Sequence, residues 1–183
     1  HNIGDSVALY TQDGKVLKQD EVLSYPCVGE DHPGLRYFRS VRTTGRNEST
    51  VVALFSAKLL NTGTSYMKMW MPASSDVSYF TALAPSAKTA SSPYQSKPSL
   101  VVTMRKEKPA VEEPFVVVYE PISDKLSTGL IESVDRIKLD SLGKKGCAIK
   151  VKTKEGDTFT LVNILKDGPV ILNNQKCCGD FAI

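Results

Sequence analysis

An antiparallel β-sandwich, two-layered or of the supersandwich type and almost without helix, is the fold class that the sequence predicts. Two observations carry this expectation. No stretch of ten or more residues repeats apolar positions at three-and-four spacing between capping residues. Instead, about eight or more short β-rich runs recur between turn signals at intervals of roughly 8–15 residues, a rhythm foreign to alternating β and α units.

The elements follow in chain order. Residues 51–55 (VVALF) are apolar throughout and follow a polar stretch over 43–50. If 65–71 is a strand, Tyr66, Lys68 and Trp70 share one face, and Met67, Met69 and Met71 share the other. Residues 82–98, small and polar (Ala84-Pro85-Ser86, Ser91-Ser92-Pro93), read as a long surface loop inside the domain. Residues 99–104 and 115–119 read as strands, the second closed by Pro121, and 130–137 continues the pattern. A hairpin is predicted from 147–153 and 157–164, turning at Glu155-Gly156. The last runs are 170–172 and 181–183.

The 183 residues suit one domain, 1–183, able to bury a full core without staples. With 23 Lys and Arg against 20 Asp and Glu, the surplus of +3 is too small and too evenly spread for a nucleic-acid or anionic-membrane surface. No apolar run approaches the ~20 residues of a membrane helix. Neither nucleic acid nor membrane is therefore expected as a partner. Residues 1–6 contain no basic segment leading into an apolar one, and no initiator Met. The chain is expected to be processed or cut from something longer. Cys27, Cys147, Cys177 and Cys178 include no C-x-x-C, and adjacent cysteines are not a zinc spacing. Disulfides and free thiols both remain open, with three pairings if all four are oxidised.

Catalytic motifs are missing. The only histidines are His1 and His32, and there is no Gly-x-Ser-x-Gly, His-Glu-x-x-His, Gly-x-Gly-x-x-Gly or phosphate loop. Asp31-His32-Pro33-Gly34 reads as a turn with a solvated histidine, and Glu112-Glu113 beside Pro114 as an exposed charged connection. The aromatics point elsewhere. Trp70 and Tyr66 flank Lys68 on one strand face and suit stacking on a sugar ring, although a core position for this face is the plainer reading. Arg36, Arg39, Arg42 and Arg46 around Tyr37-Phe38 suit bidentate contacts to the carboxylates or sulfates of an acidic polysaccharide. A solvated edge strand defended by charge explains them nearly as well.

Several segments, in order, resemble the C-terminal β-sandwich of heparinase II/III-like polysaccharide lyases. They are the His1-Asn2 opening with Asp13-Gly14, the pair formed by Ser40-Val41-Arg42 and residues 51–55, and the stretch Asn61-Thr62-Gly63-Thr64-Ser65-Tyr66. The best match is Pro114-Phe115-Val116-Val117-Val118-Tyr119-Glu120-Pro121 followed by Ile131-Glu132-Ser133-Val134, and Gly179-Asp180-Phe181-Ala182-Ile183 resembles the closing strand. The resemblance implies a non-catalytic module, since the family's catalytic tyrosine and histidine sit mainly in an upstream helical domain against which the sandwich packs. It implies a secreted or periplasmic parent that acts by β-elimination. Acidic polysaccharide is the partner it implies, with Trp70, Tyr66, Arg39 and Arg42 fitting contact by residue type. The family's structural zinc finds only His1 as a resembling ligand, so neither metal nor other cofactor is expected. A free-standing carbohydrate-binding or adhesion β-sandwich is the alternative.

Overall fold

A computed structural model describes residues 7–22, 37–59, 63–85, 98–107, 109–110, 114–123, 129–137, 146–164, 170–172, 175–177 and 181–182. His1, His32, Glu112, Glu113, Cys27, Cys178 and most of the expected 82–98 loop lie outside them. Among the described residues the chain is all-β, with no helix and therefore none long and apolar enough to cross a membrane.

The central sheet runs β1 (Leu9–Thr11), β4 (Val51–Leu59), β5 (Gly63–Met71), β8 (Val118–Ile122). A first flanking sheet runs β2 (Asp20–Glu21), β3 (Arg39–Arg46), β6 (Val77–Ala84), β7 (Ser99–Lys106). A second flanking sheet contains β9 (Ile131–Ile137), β10 (Gly146–Thr153), β11 (Thr158–Ile164) and β14 (Phe181–Ala182), in the order β14-β11-β10-β9. β12 (Val170–Leu172) and β13 (Gln175–Cys177) form a separate two-stranded pair. Every pairing is antiparallel.

Alternation along β4 and β5 explains the layering. Val51, Ala53, Met69 and Met71 point one way and pack with Val7, Leu9, Val77 and Tyr79, closing the central sheet on the first flanking sheet. Val52 and Trp70 point the other way and pack with Val134, Ile149 and Val151, closing it on the second. A central strand must then be apolar on both faces, which is why 51–55 carries no polar residue. Each fully buried Val, Leu or Met side chain contributes about 1.5–3 kcal/mol. A smaller cluster of Val41, Phe80 and Ala82, with Val22, Phe38 and Val101 packed against it, lies on the other face of the first flanking sheet.

The 147–164 hairpin forms at its expected turn. Thr153 N donates to Asp157 O (2.9 Å), Gly156 N donates to Thr153 O (3.1 Å), and Gly156 takes a φ of 96° that favours glycine. Three elements differ from expectation. The strand expected over 115–119 and closed by Pro121 is β8, which runs through Pro121. Among the described residues β8 is the edge of its sheet and pairs with β5 alone, so a residue without an N–H is tolerated there. β3 is no edge strand, because β2 and β6 pair with it on either side. β6 was absent from the expected runs. It is buried on both faces, with Val77 and Tyr79 in one core and Phe80 and Ala82 in another, so no alternation marks it in the sequence.

Candidate functional site

Along β5, the face toward the second flanking sheet carries Trp70, Lys68 and Tyr66, from the core outward. Trp70 is only 4% exposed and packs among Val52, Val116, Val134, Ile149 and Val151. Of the two readings of this face, core is the one the fold adopts at Trp70, and its ring offers no platform for stacking from solvent.

A carboxylate makes this burial of an indole N–H tolerable. Glu120, on the neighbouring β8 and directly across from Lys68, is 6% exposed. Its Oε2 accepts from Trp70 Nε1 at 3.0 Å, and its Oε1 accepts from Ile131 N at 2.8 Å. Charge-assisted bonds of this kind are roughly twice as strong as neutral ones, and they offset the desolvation of the carboxylate. One side chain thereby ties the indole to the first residue of β9, holding the central and second flanking sheets in register. Gly129 belongs to the same arrangement. It has a φ of +74°, and a Cβ there would collide with the Glu120 carboxylate.

Outward from Glu120 the cluster becomes cationic. Lys68 Nζ lies 5.8 Å from the Trp70 ring centroid, within range of a cation–π contact. Burial pushes the Lys68 ammonium below its usual range; the Glu120 charge opposes that shift and the Lys154 charge adds to it. Lys154 comes from the β10–β11 turn. Its Nζ donates to Gly129 O at 2.9 Å and its backbone N to Leu130 O at 3.0 Å. Leu130, beside them, is 51% exposed, and Tyr66 is half-buried.

The sequence-expected residues do not converge. Arg39 and Arg42 are exposed on β3 of the first flanking sheet, whereas Tyr66 and Trp70 face the second flanking sheet across the central layer. A break in register between Arg39 and Arg42, with Ser40 at a φ of 50°, separates the two arginines. Arg42 stands opposite Glu21 in the β2–β3 pair. Glu120, Lys154 and Gly129 were not singled out by sequence reasoning. The available signal was a lone acid inside the apolar run 115–122, which must find donors if the run is buried.

Other titratable groups face away from chemistry. Lys106 Nζ and Asp76 Oδ1 form a buried ion pair at 3.0 Å, and Ser74 Oγ donates to the same oxygen at 2.6 Å. Arg46 pairs with Glu107 at the surface. The Tyr79 hydroxyl has no hydrogen-bond partner, and burial pushes it up to about 12. Cys147 is a free, half-buried thiol that burial pushes up, so it stays protonated at neutral pH and the pairing of all four cysteines is not adopted. Among the described residues no group of three His, Cys, Asp or Glu side chains is placed to hold a metal ion. What the β5 rim offers is fixed charge beside apolar surface.

No family model matches the chain, and no solved structure matches it. An endo-acting ulvan lyase of Formosa agariphila is 35% identical to it over 124 residues, which cover 66% of the chain and 15% of that protein. The similarity relates this β-sandwich to a segment of a polysaccharide lyase. The matched region is a small part of that protein's length.

Proposed function

We propose that the chain is a non-catalytic β-sandwich module of a polysaccharide lyase of heparinase II/III-like organisation, contacting acidic polysaccharide while residues elsewhere in the parent cleave it. The observation that carries this reading is the 35% identity over 124 residues to an endo-acting ulvan lyase. Ulvan, by the relative's name, supplies the substrate class. Packing on an upstream helical domain and a secreted or periplasmic parent belong to the same proposal. Arg39 and Arg42 retain the exposure that contact with carboxylate or sulfate requires, and Tyr66 retains part of it. Glu120, whose two carboxylate oxygens accept from Trp70 Nε1 and Ile131 N, has a positioning role.

Affinity electrophoresis through gels cast with ulvan or with neutral dextran tests the binding, and a parallel digest tests the chemistry. The chain is expected to be retarded by ulvan alone and to release no unsaturated uronate chromophore. Equal mobility in both gels defeats the proposed contact, and appearance of the chromophore with pure chain defeats the non-catalytic role.

A further inference from the structure

Burial fades along the Met face of β5: Met71 is 0% exposed, Met69 7% and Met67 38%. The first two belong to the core beneath the first flanking sheet, whereas Met67 opens to solvent. The register of the β5–β8 pair places Pro121 directly opposite Met67 and Tyr119 directly opposite Met69. Opposed side chains share a face, so Tyr119, Pro121 and Met67 form one strip, with Tyr119 diagonal to Met67 and within an aromatic ring's reach of it. Val117, two residues before Tyr119, packs against the first core, which fixes the same parity along β8. Tyr119 is 60% exposed, and Pro121 is exposed beside it. Phe55, opposite Met67 on β4, packs against the first core and bounds the strip on its inner side. Exposed Ser65, on the same face of β5, adds a hydroxyl at its end.

A contiguous apolar strip left in solvent marks a contact surface, and its size and chemistry select the occupant. A stable protein interface takes about 800 Å² and roughly 20–30 residues from each side, far more than this strip offers. β8 is an edge strand among the described residues, and Pro121 interrupts its row of donors, a device against strand addition by another chain. A sugar ring fits both the size and the chemistry. Its C–H face stacks on the Tyr119 ring and the Met67 thioether, while its hydroxyls meet those of Tyr119 and Ser65. From this register and exposure we infer that Tyr119, with Met67 and Pro121 beside it, is a stacking platform for a sugar ring of the bound polysaccharide. The platform deepens the proposed function and rests on it. It lies on the face of the central sheet opposite Trp70 and Glu120, on the side of the first flanking sheet that bears Arg39 and Arg42.

The test compares the full wild-type chain with Tyr119→Ala, Tyr119→Phe and a control, Phe159→Ala, which removes a 47% exposed ring from β11 of the second flanking sheet. Binding to ulvan is measured by affinity electrophoresis, with near-ultraviolet circular dichroism of Trp70 as the check on folding. Tyr119→Ala is expected to bind about threefold to tenfold more weakly, as for loss of one ring contact, while Tyr119→Phe keeps most of the binding and Phe159→Ala changes little. Unaltered binding by Tyr119→Ala overturns the platform and leaves the module's polysaccharide contact intact. Equal weakening by Phe159→Ala overturns it too, since any lost aromatic then has the same effect. If Tyr119→Phe binds as poorly as Tyr119→Ala, the ring does no stacking and the inference fails. Absence of wild-type binding overturns the platform together with the reading on which it rests. Should Tyr119→Ala lose the Trp70 signal, Met67→Ala decides: weaker binding supports the platform, and wild-type binding refutes it.

Discussion

Between the central sheet and the first flanking sheet, Tyr79 buries its hydroxyl with no hydrogen-bond partner; on the opposite face of that central sheet, Trp70 and Glu120 satisfy one another. Both cores are built on the same strands. β5 alone sends Met69 and Met71 to one and Trp70 to the other. The first core is held by apolar packing and carries its one orphan hydroxyl as a cost. The second adds a hydrogen-bonded carboxylate, Glu120, which accepts from Trp70 Nε1 and Ile131 N. Polar groups enter this molecule's interior without damage where a neighbouring strand supplies donors.

The largest effect expected from this contrast is at Trp70. Trp70→Ala should cost about 3–5 kcal/mol, because it opens a cavity and strips a donor from Glu120. Urea denaturation measures this, and a cost below about 1 kcal/mol would place the ring outside the core. The next effect belongs to the apolar core and appears only in alkali. Burial raises the Tyr79 hydroxyl from 10.0 to about 12, so the unfolded chain loses this proton first as pH increases. Stability from this group is therefore complete below pH 10.0 and is lost as pH rises to about 12. The whole loss is roughly 2–3 kcal/mol. Tyr79→Phe should abolish that decline and be neutral or slightly stabilising at pH 7, and an unchanged alkaline slope in the variant would show that the hydroxyl is not sealed. Smallest is Gly129→Ala, at about 1–2 kcal/mol from the left-handed backbone alone, with more if Glu120 gives up a bond to make room. Thermal unfolding reads it, and a variant as stable as wild type would mean that Glu120 is not clamped.

Local chemistry was readable from the sequence. The turn at Glu155-Gly156 is specified by a glycine that accepts positive φ, and the division of β5 into a Met face and a Trp face follows from the two-residue period of any strand. The absence of helical spacing likewise determined the all-β class. What the period leaves open is which layer covers each face, and that depended on tertiary structure. Only the seating of the second flanking sheet on β5 put Trp70 in a core. Only the edge position of β8 allowed Pro121 inside a strand, and only pairing on both sides took β3 away from an edge. β6 escaped notice for the same reason, since burial on both faces erases the alternation that betrays a strand. Glu120 meets Trp70 across 50 residues of chain and Ile131 across 11. No local pattern encodes such meetings, because pairing between distant strands is set by how well whole faces bury one another.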